Sequence, residues 1–145
     1  MANRWQTLMD LRQRRVDQAQ EQVIDSERRK QEAITSINQI RQYIKEYQGA
    51  GAIKSQTVSV DKISRSRKFM IQLQDALKVQ EAALIQLTTL AQKDLHELIR
   101  CRADLKAIEK LKDSKELAIK KIADKKEANE LDELARTQYL VNIQR

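Results

Sequence analysis

Three observations predict an all-α fold, a long two-helix antiparallel coiled-coil hairpin with a longer second helix. Gly49 and Gly51 are the only glycines and there is no proline, so the backbone is invited to leave a helix in one place alone. Apolar residues recur at heptad spacing on both sides of that place. The composition, 41% hydrophobic, 34% charged and 3% aromatic, suits narrow aliphatic seams at the a and d positions of long helices better than a thick globular core. One elongated domain over residues 1–145 follows, with helices over about 3–48 and about 59–141 and a hinge over about 49–58.

The first arm starts with Asn3 as N-cap. With Met9 at position a, one row reads Met9, Val16, Val23, Lys30, Ile37 and Ile44. The other, at d, reads Trp5, Arg12, Ala19, Ser26, Ala33, Ile40 and Tyr47. Only Arg12, Ser26 and Lys30 interrupt the apolar seam, and they read as register control, with long stems snorkelling out of a thin interface. At 1.5 Å per residue such an arm is about 65 Å long.

Between the arms lies QGAGAIKSQTVS, residues 48–59. Ser55, Thr57 and Ser59 are candidate caps for the second arm, and Asp61 suits its N-terminal dipole. The second seam reads Ile63, Met70, Leu73, Leu77, Gln80, Leu84, Leu87 and Ala91. It continues with two steps of four through Leu95, then Leu98, Cys101, Leu105 and Ile108. Such steps predict a stutter, a local unwinding of the supercoil.

If Gln48 faces Ser59, Trp5 falls opposite a residue near Arg102. The rest of the second arm then has no partner in the hairpin, although Leu111, Ala118, Ile119, Ile122, Leu131, Leu134 and Val141 continue its apolar pattern. That tail binds another protein, self-associates or frays.

The net charge of +7 does not point to nucleic acid. Basic residues alternate with acids, as over 104–116 (DLKAIEKLKDSKE), and stacking aromatics are missing. The excess can still steer the chain towards acidic partners or anionic lipid. No apolar run is long enough to span a membrane and the N-terminus lacks signal-peptide features, so a cytoplasmic protein is expected.

Catalytic chemistry has no foothold. Two glycines in one hinge cannot write a phosphate loop, and the carboxylates are spread along solvated faces. His96 has no metal-binding companions and Cys101 reads as a small seam hydrophobe. No cofactor and no metal is expected.

The segments RWQTLMDLRQRRVDQAQ, YIKEY, KFMIQLQDAL and LKAIEKLKDSKELAIKKIADKKEANELDELA, taken in this order, resemble the FliJ family of flagellar export proteins. The resemblance implies a cytoplasmic, non-enzymatic component of the type III export apparatus, peripherally associated with the inner membrane and similar to the stalk of rotary ATPases. It implies three partners: a hexameric export ATPase, the cytoplasmic domain of the export-gate membrane protein, and export chaperones. Carried over to this chain, gate binding falls on Ile40, Tyr43, Tyr47, Phe69, Leu73, Ala76 and Gln80, the last where the family can have His. ATPase binding falls on the tail and the N-terminal end, here Trp5, Leu8, Leu111, Ile119, Ile122, Leu131 and Leu134. Ile40, Tyr47 and Leu73 are also seam residues, while Tyr43 and Phe69 lie outside a and d and are open to either contact or packing. An injectisome stalk and a homo-oligomeric coiled-coil scaffold are the alternatives.

Overall fold

The computed structural model describes residues 2–54 and 60–144, with side chains over 4–49 and 60–144. They form two helices, α1 (Ala2–Lys54, 53 residues) and α2 (Val60–Ile143, 84 residues). The fold is all-α and the second helix is the longer.

Two boundaries differ from the sequence expectation. Helix α1 begins at Ala2, which puts Asn3 inside the first turn instead of at the cap. More consequentially, α1 runs through Gly49 and Gly51 to Lys54, so the glycines do not end it. A helical glycine costs only about 1 kcal/mol relative to alanine, and Ala50, Ala52, Ile53 and Lys54 keep the helical backbone bonds going. No described residue has positive φ. The expected caps Ser55, Thr57 and Ser59 lie outside the described residues, while Asp61 does occupy the first turn of α2.

The chain divides into two units, a central one of Arg15–Cys101 and a terminal one of Met1–Arg14 with Arg102–Arg145. In the central unit the helices run antiparallel. Arg41 meets Glu81 at 3.1 Å, and further along α1 the hydroxyl of Tyr47 shares a hydrogen bond with Ser66 while its ring meets Phe69. The α1 seam is as the heptad frame requires, with Val16, Ala19, Ser26, Ala33 and Ile37 buried and Val23, Lys30, Ile40, Ile44 and Tyr47 half-buried. Ser26 is 2% exposed, yet its hydroxyl donates to the Gln22 carbonyl at 2.9 Å and lies 3.3 Å from that of Val23. This back-bonding satisfies the group without a partner on the other helix.

On α2 the expected stutter is absent. Ser66, Met70, Leu73, Leu77, Gln80, Leu84, Leu87, Ala91, Asp94, Leu98 and Cys101 are buried or half-buried in unbroken alternation of four and three, with Glu81, Ala83 and Thr88 half-buried beside them. Leu95 is 47% exposed. Asp94 takes the seam position that Leu95 was expected to hold, because geometry fixed by the turns on either side outweighs the preference of one residue. Ile63 is likewise exposed and Ser66 carries the seam there.

The terminal unit is also antiparallel. Arg12 approaches Asp104 at 3.9 Å, and the Lys115 ammonium lies 5.2 Å from the centroid of the Trp5 ring, a cation–π contact worth roughly 0.5–1 kcal/mol at an exposed site. Trp5 is therefore opposite Lys115 and not the region of Arg102, and the unpaired tail is shorter than expected. The Gln48–Ser59 alignment assumed a turn too early in the chain, whereas Tyr47 faces Ser66 and Phe69. Leu105, Ile108 and Lys112 complete the half-buried seam, and from Asp113 to Gln144 every residue is exposed.

Candidate functional site

The seam defines which side chains are left to meet a partner. With Ile44 at a and Tyr47 at d on α1, and Met70 at a and Leu73 at d on α2, Arg41 and Glu81 are both e residues. Their ion pair shows e meeting e in the central unit, so g residues meet on the opposite flank. Tyr43, Phe69 and Ala76 are all g residues. Tyr43 and Phe69, which the sequence leaves open between packing and contact, thus share one flank with Ala76, and they are 58% and 45% exposed.

That flank differs in character from its opposite. On α2 its g positions continue as the apolar Ala83 and Leu90, while on α1 they continue as Ser36 and Arg29; the e flank carries Arg41, Glu81, Arg67 and Gln74. Sequence reading did not include Ala83 or Leu90. They could have been found by extending the g row once Met70 was set at a. Phe69 is anchored by a tilted ring contact with Tyr47, 5.1 Å between centroids at 59°, so Tyr47 packs and positions while Phe69 and Tyr43 face outwards. Ile40, Tyr47, Leu73 and Gln80 are half-buried in the seam.

In the terminal unit, Trp5 is half-buried under Lys115. Leu8 and Leu111 are both g residues and both exposed, again on one flank, with Leu11 beside Leu8 in a shallow depression that Arg4 and Thr7 complete. Ile119 and Ile122 are 65% and 70% exposed, and Leu131 and Leu134 are exposed with them. No single flank collects all four tail residues, since at 3.6 residues per turn the spacing of Ile122 and Leu131 puts them on opposite sides of the helix.

Charge is mostly local. Asp25 accepts a hydrogen bond from Arg28 at 2.6 Å and forms an ion pair with Arg29 at 3.1 Å, and Arg28 also reaches Glu32. The Arg28 hydrogen bond holds the Asp25 carboxyl below its ordinary range, against an opposing desolvation and with help from the charges of Arg29 and Arg28. The same bond, with the charges of Glu32 and Asp25, raises the Arg28 guanidinium. Cys101 is buried on the seam, its thiol 3.7 Å from a Glu97 carboxylate oxygen. His96 is exposed. Among the described residues no helix is long and apolar enough to cross a membrane.

A chain of this construction is an all-α protein of the two-helix coiled-coil type, with apolar flanks and an unpaired helical tail. The family model described as "Flagellar FliJ protein" matches residues 1–143. The chain belongs to that family, whose members are non-enzymatic, and is a component of the flagellar protein export apparatus. No curated protein and no solved structure matches it.

Proposed function

We propose that this protein acts as the coiled-coil stalk that couples the hexameric export ATPase to the export gate, promoting the activity of the ring without doing chemistry itself. The terminal unit, with Trp5, Leu8, Leu111, Ile119, Ile122, Leu131 and Leu134, faces the ATPase. The apolar flank of Tyr43, Phe69 and Ala76 faces the cytoplasmic domain of the gate protein, and export chaperones share the same chain. A helix bound to a ring biases its subunits only through differential contacts with their states.

The observation that carries this reading is the length of α2 beyond Lys115. A helix exposing Ile119, Ile122, Leu131 and Leu134 has no stabilising face of its own, and exposed apolar surface of this kind marks a contact site. The test uses pull-down and ATPase stimulation with the cognate export ATPase, comparing the full chain with one ending at Glu116, which keeps the Trp5–Lys115 contact. Loss of binding and stimulation in the shorter chain is expected. Failure of the intact chain to bind, with a stable homodimer at low concentration, would replace the stalk by a self-associating scaffold.

A further inference from the structure

We propose that the e flank of the central unit is the contact face of a weak, two-fold symmetric dimer, in which α2 of a second copy lies antiparallel along Ile85, Thr88, Gln92, Leu95 and Ile99. This goes beyond the stalk reading and does not depend on it. On each helix the b residues stand beside the e residues, so the flank marked by the Arg41–Glu81 pair also carries both b rows. From Ile85 to Ile99 the b and e rows of α2 hold these five residues, all uncharged, in a chain that is 34% charged. Across the flank α1 contributes Gln20, Ile24, Glu27 and Gln31, with one charge among them. Ile24, Ile85, Leu95 and Ile99 are between 47% and 70% exposed. Four large aliphatic side chains thus gather along about 21 Å of one flank, and exposed apolar surface collected in this way marks a contact site.

The order of these residues selects a second copy over a foreign partner. Ile85, Thr88, Gln92 and Leu95 follow one another in steps of three, four and three, apolar at the ends and polar but uncharged in the middle. The pattern is the same in both directions, which is what an isologous contact about a two-fold axis requires. Antiparallel pairing about residue 90 sets Ile85 against Leu95 of the copy and Thr88 against its Gln92. The Thr88 hydroxyl donates to the Leu84 carbonyl at 2.8 Å, and its oxygen is still able to accept from a glutamine amide. With the register that sets Val23 level with Asp94, the same axis carries Ile24 to Ala82 and Thr89 of the copy, whose short side chains on the outer face of α2 leave room for it. It also brings Asp17 within a turn of Lys78 of the copy, so that opposite charges close the patch at both ends. A contact about four turns long lies near the low end of specific interfaces, roughly 1,200 Å², and the dimer is accordingly weak.

The test is sedimentation equilibrium of the full-length protein up to millimolar concentration, where a reversible monomer–dimer equilibrium is expected. Each substitution on the patch acts twice in the dimer, so Ile85→Gln or Leu95→Gln should raise the dissociation constant at least about tenfold. Val79→Gln, at a similarly exposed side chain on the other side of α2, should leave it unchanged. The tail variant Ile119→Asp with Ile122→Asp should also dimerise like the parent, which separates this contact from any made by the tail. Mild oxidation of a mixture of Ile85→Cys and Leu95→Cys proteins should cross-link the two in far higher yield than either protein with itself. Circular dichroism checks that the variants keep their helices. A chain that stays monomeric throughout, or dimerisation undiminished in Ile85→Gln and Leu95→Gln with helicity intact, would overturn the proposal. Loss of the dimer in the tail variant would overturn it by assigning self-association to the tail, and equal cross-linking of each cysteine variant with itself would overturn the antiparallel arrangement.

Discussion

Replacing Asp94 by Leu should stabilise this protein, although it removes a charge from a highly charged helix. Asp94 is half-buried between the buried seam residues Ala91 and Leu98, and the register set by Tyr47 with Ser66 and Phe69 places it level with Val23 on α1. A leucine fully buried contributes about 1.5–3 kcal/mol, so a half-buried one supplies about 1–1.5 kcal/mol. Leu95→Gln, at a side chain already 47% exposed, should stay within about 0.5 kcal/mol of the parent. Thermal unfolding followed by circular dichroism reads both. At roughly 2–4 °C per kcal/mol for a chain of this size, Asp94→Leu should raise Tm by about 2–6 °C and Leu95→Gln should scarcely move it. The reverse order, with Leu95→Gln clearly destabilising and Asp94→Leu neutral, would mean that the seam does step by four at Ala91 and that the unbroken heptad frame is wrong.

Gly49→Ala should stabilise by about 0.5–1 kcal/mol in urea unfolding, because Gly49 is helical and a Cβ there meets nothing within 4 Å; destabilisation would indicate a non-helical backbone at that position. Ile37→Ala, at a side chain 3% exposed, should cost about 2–5 kcal/mol, whereas Tyr43→Ala should leave stability within about 0.5 kcal/mol and weaken gate binding in a pull-down. Asp25 gives a pH signature. Its folded pKa is depressed, chiefly by the Arg28 hydrogen bond, so its contribution is fully present above the unfolded value near 3.9 and is lost as pH falls through the folded value. Asp25→Asn should therefore lower Tm at neutral pH, and the gap to the parent should close as the pH drops below about 4.

The first seam was legible in full from spacing, since from Trp5 to Tyr47 each a and d residue is buried or half-buried, including Arg12, Ser26 and Lys30. The second was misread at three of its polar seam positions, although Gln80 was read correctly. Ser66, Asp94 and Lys112 are invisible to an apolar pattern, and Leu95, beside Asp94, drew the frame one step aside, whereas Ile63 keeps the frame seven residues before Met70 but is exposed. Strict heptad counting outward from Leu77 would have corrected this. The glycines misled for a related reason, because a local preference of about 1 kcal/mol is small beside the continuity of a long helix. Tyr43, Phe69 and Ala76 were named residue by residue, but their common flank required knowing that e meets e across the pair, which the Arg41–Glu81 contact supplies. Lys115 over Trp5 was beyond sequence reasoning, since it depends on where the chain turns.

The central claim is that α2 beyond Lys115 carries the contact with the export ATPase, and a titration tests it directly. The ATPase ring is titrated with the intact chain and with a full-length variant carrying Ile119→Asp and Ile122→Asp, following ATP hydrolysis at each point. The account predicts saturable stimulation by the intact chain and a shift of at least about tenfold to higher concentration for the variant, as expected when buried apolar contacts are lost. Superimposable curves, with both proteins equally helical, would contradict it.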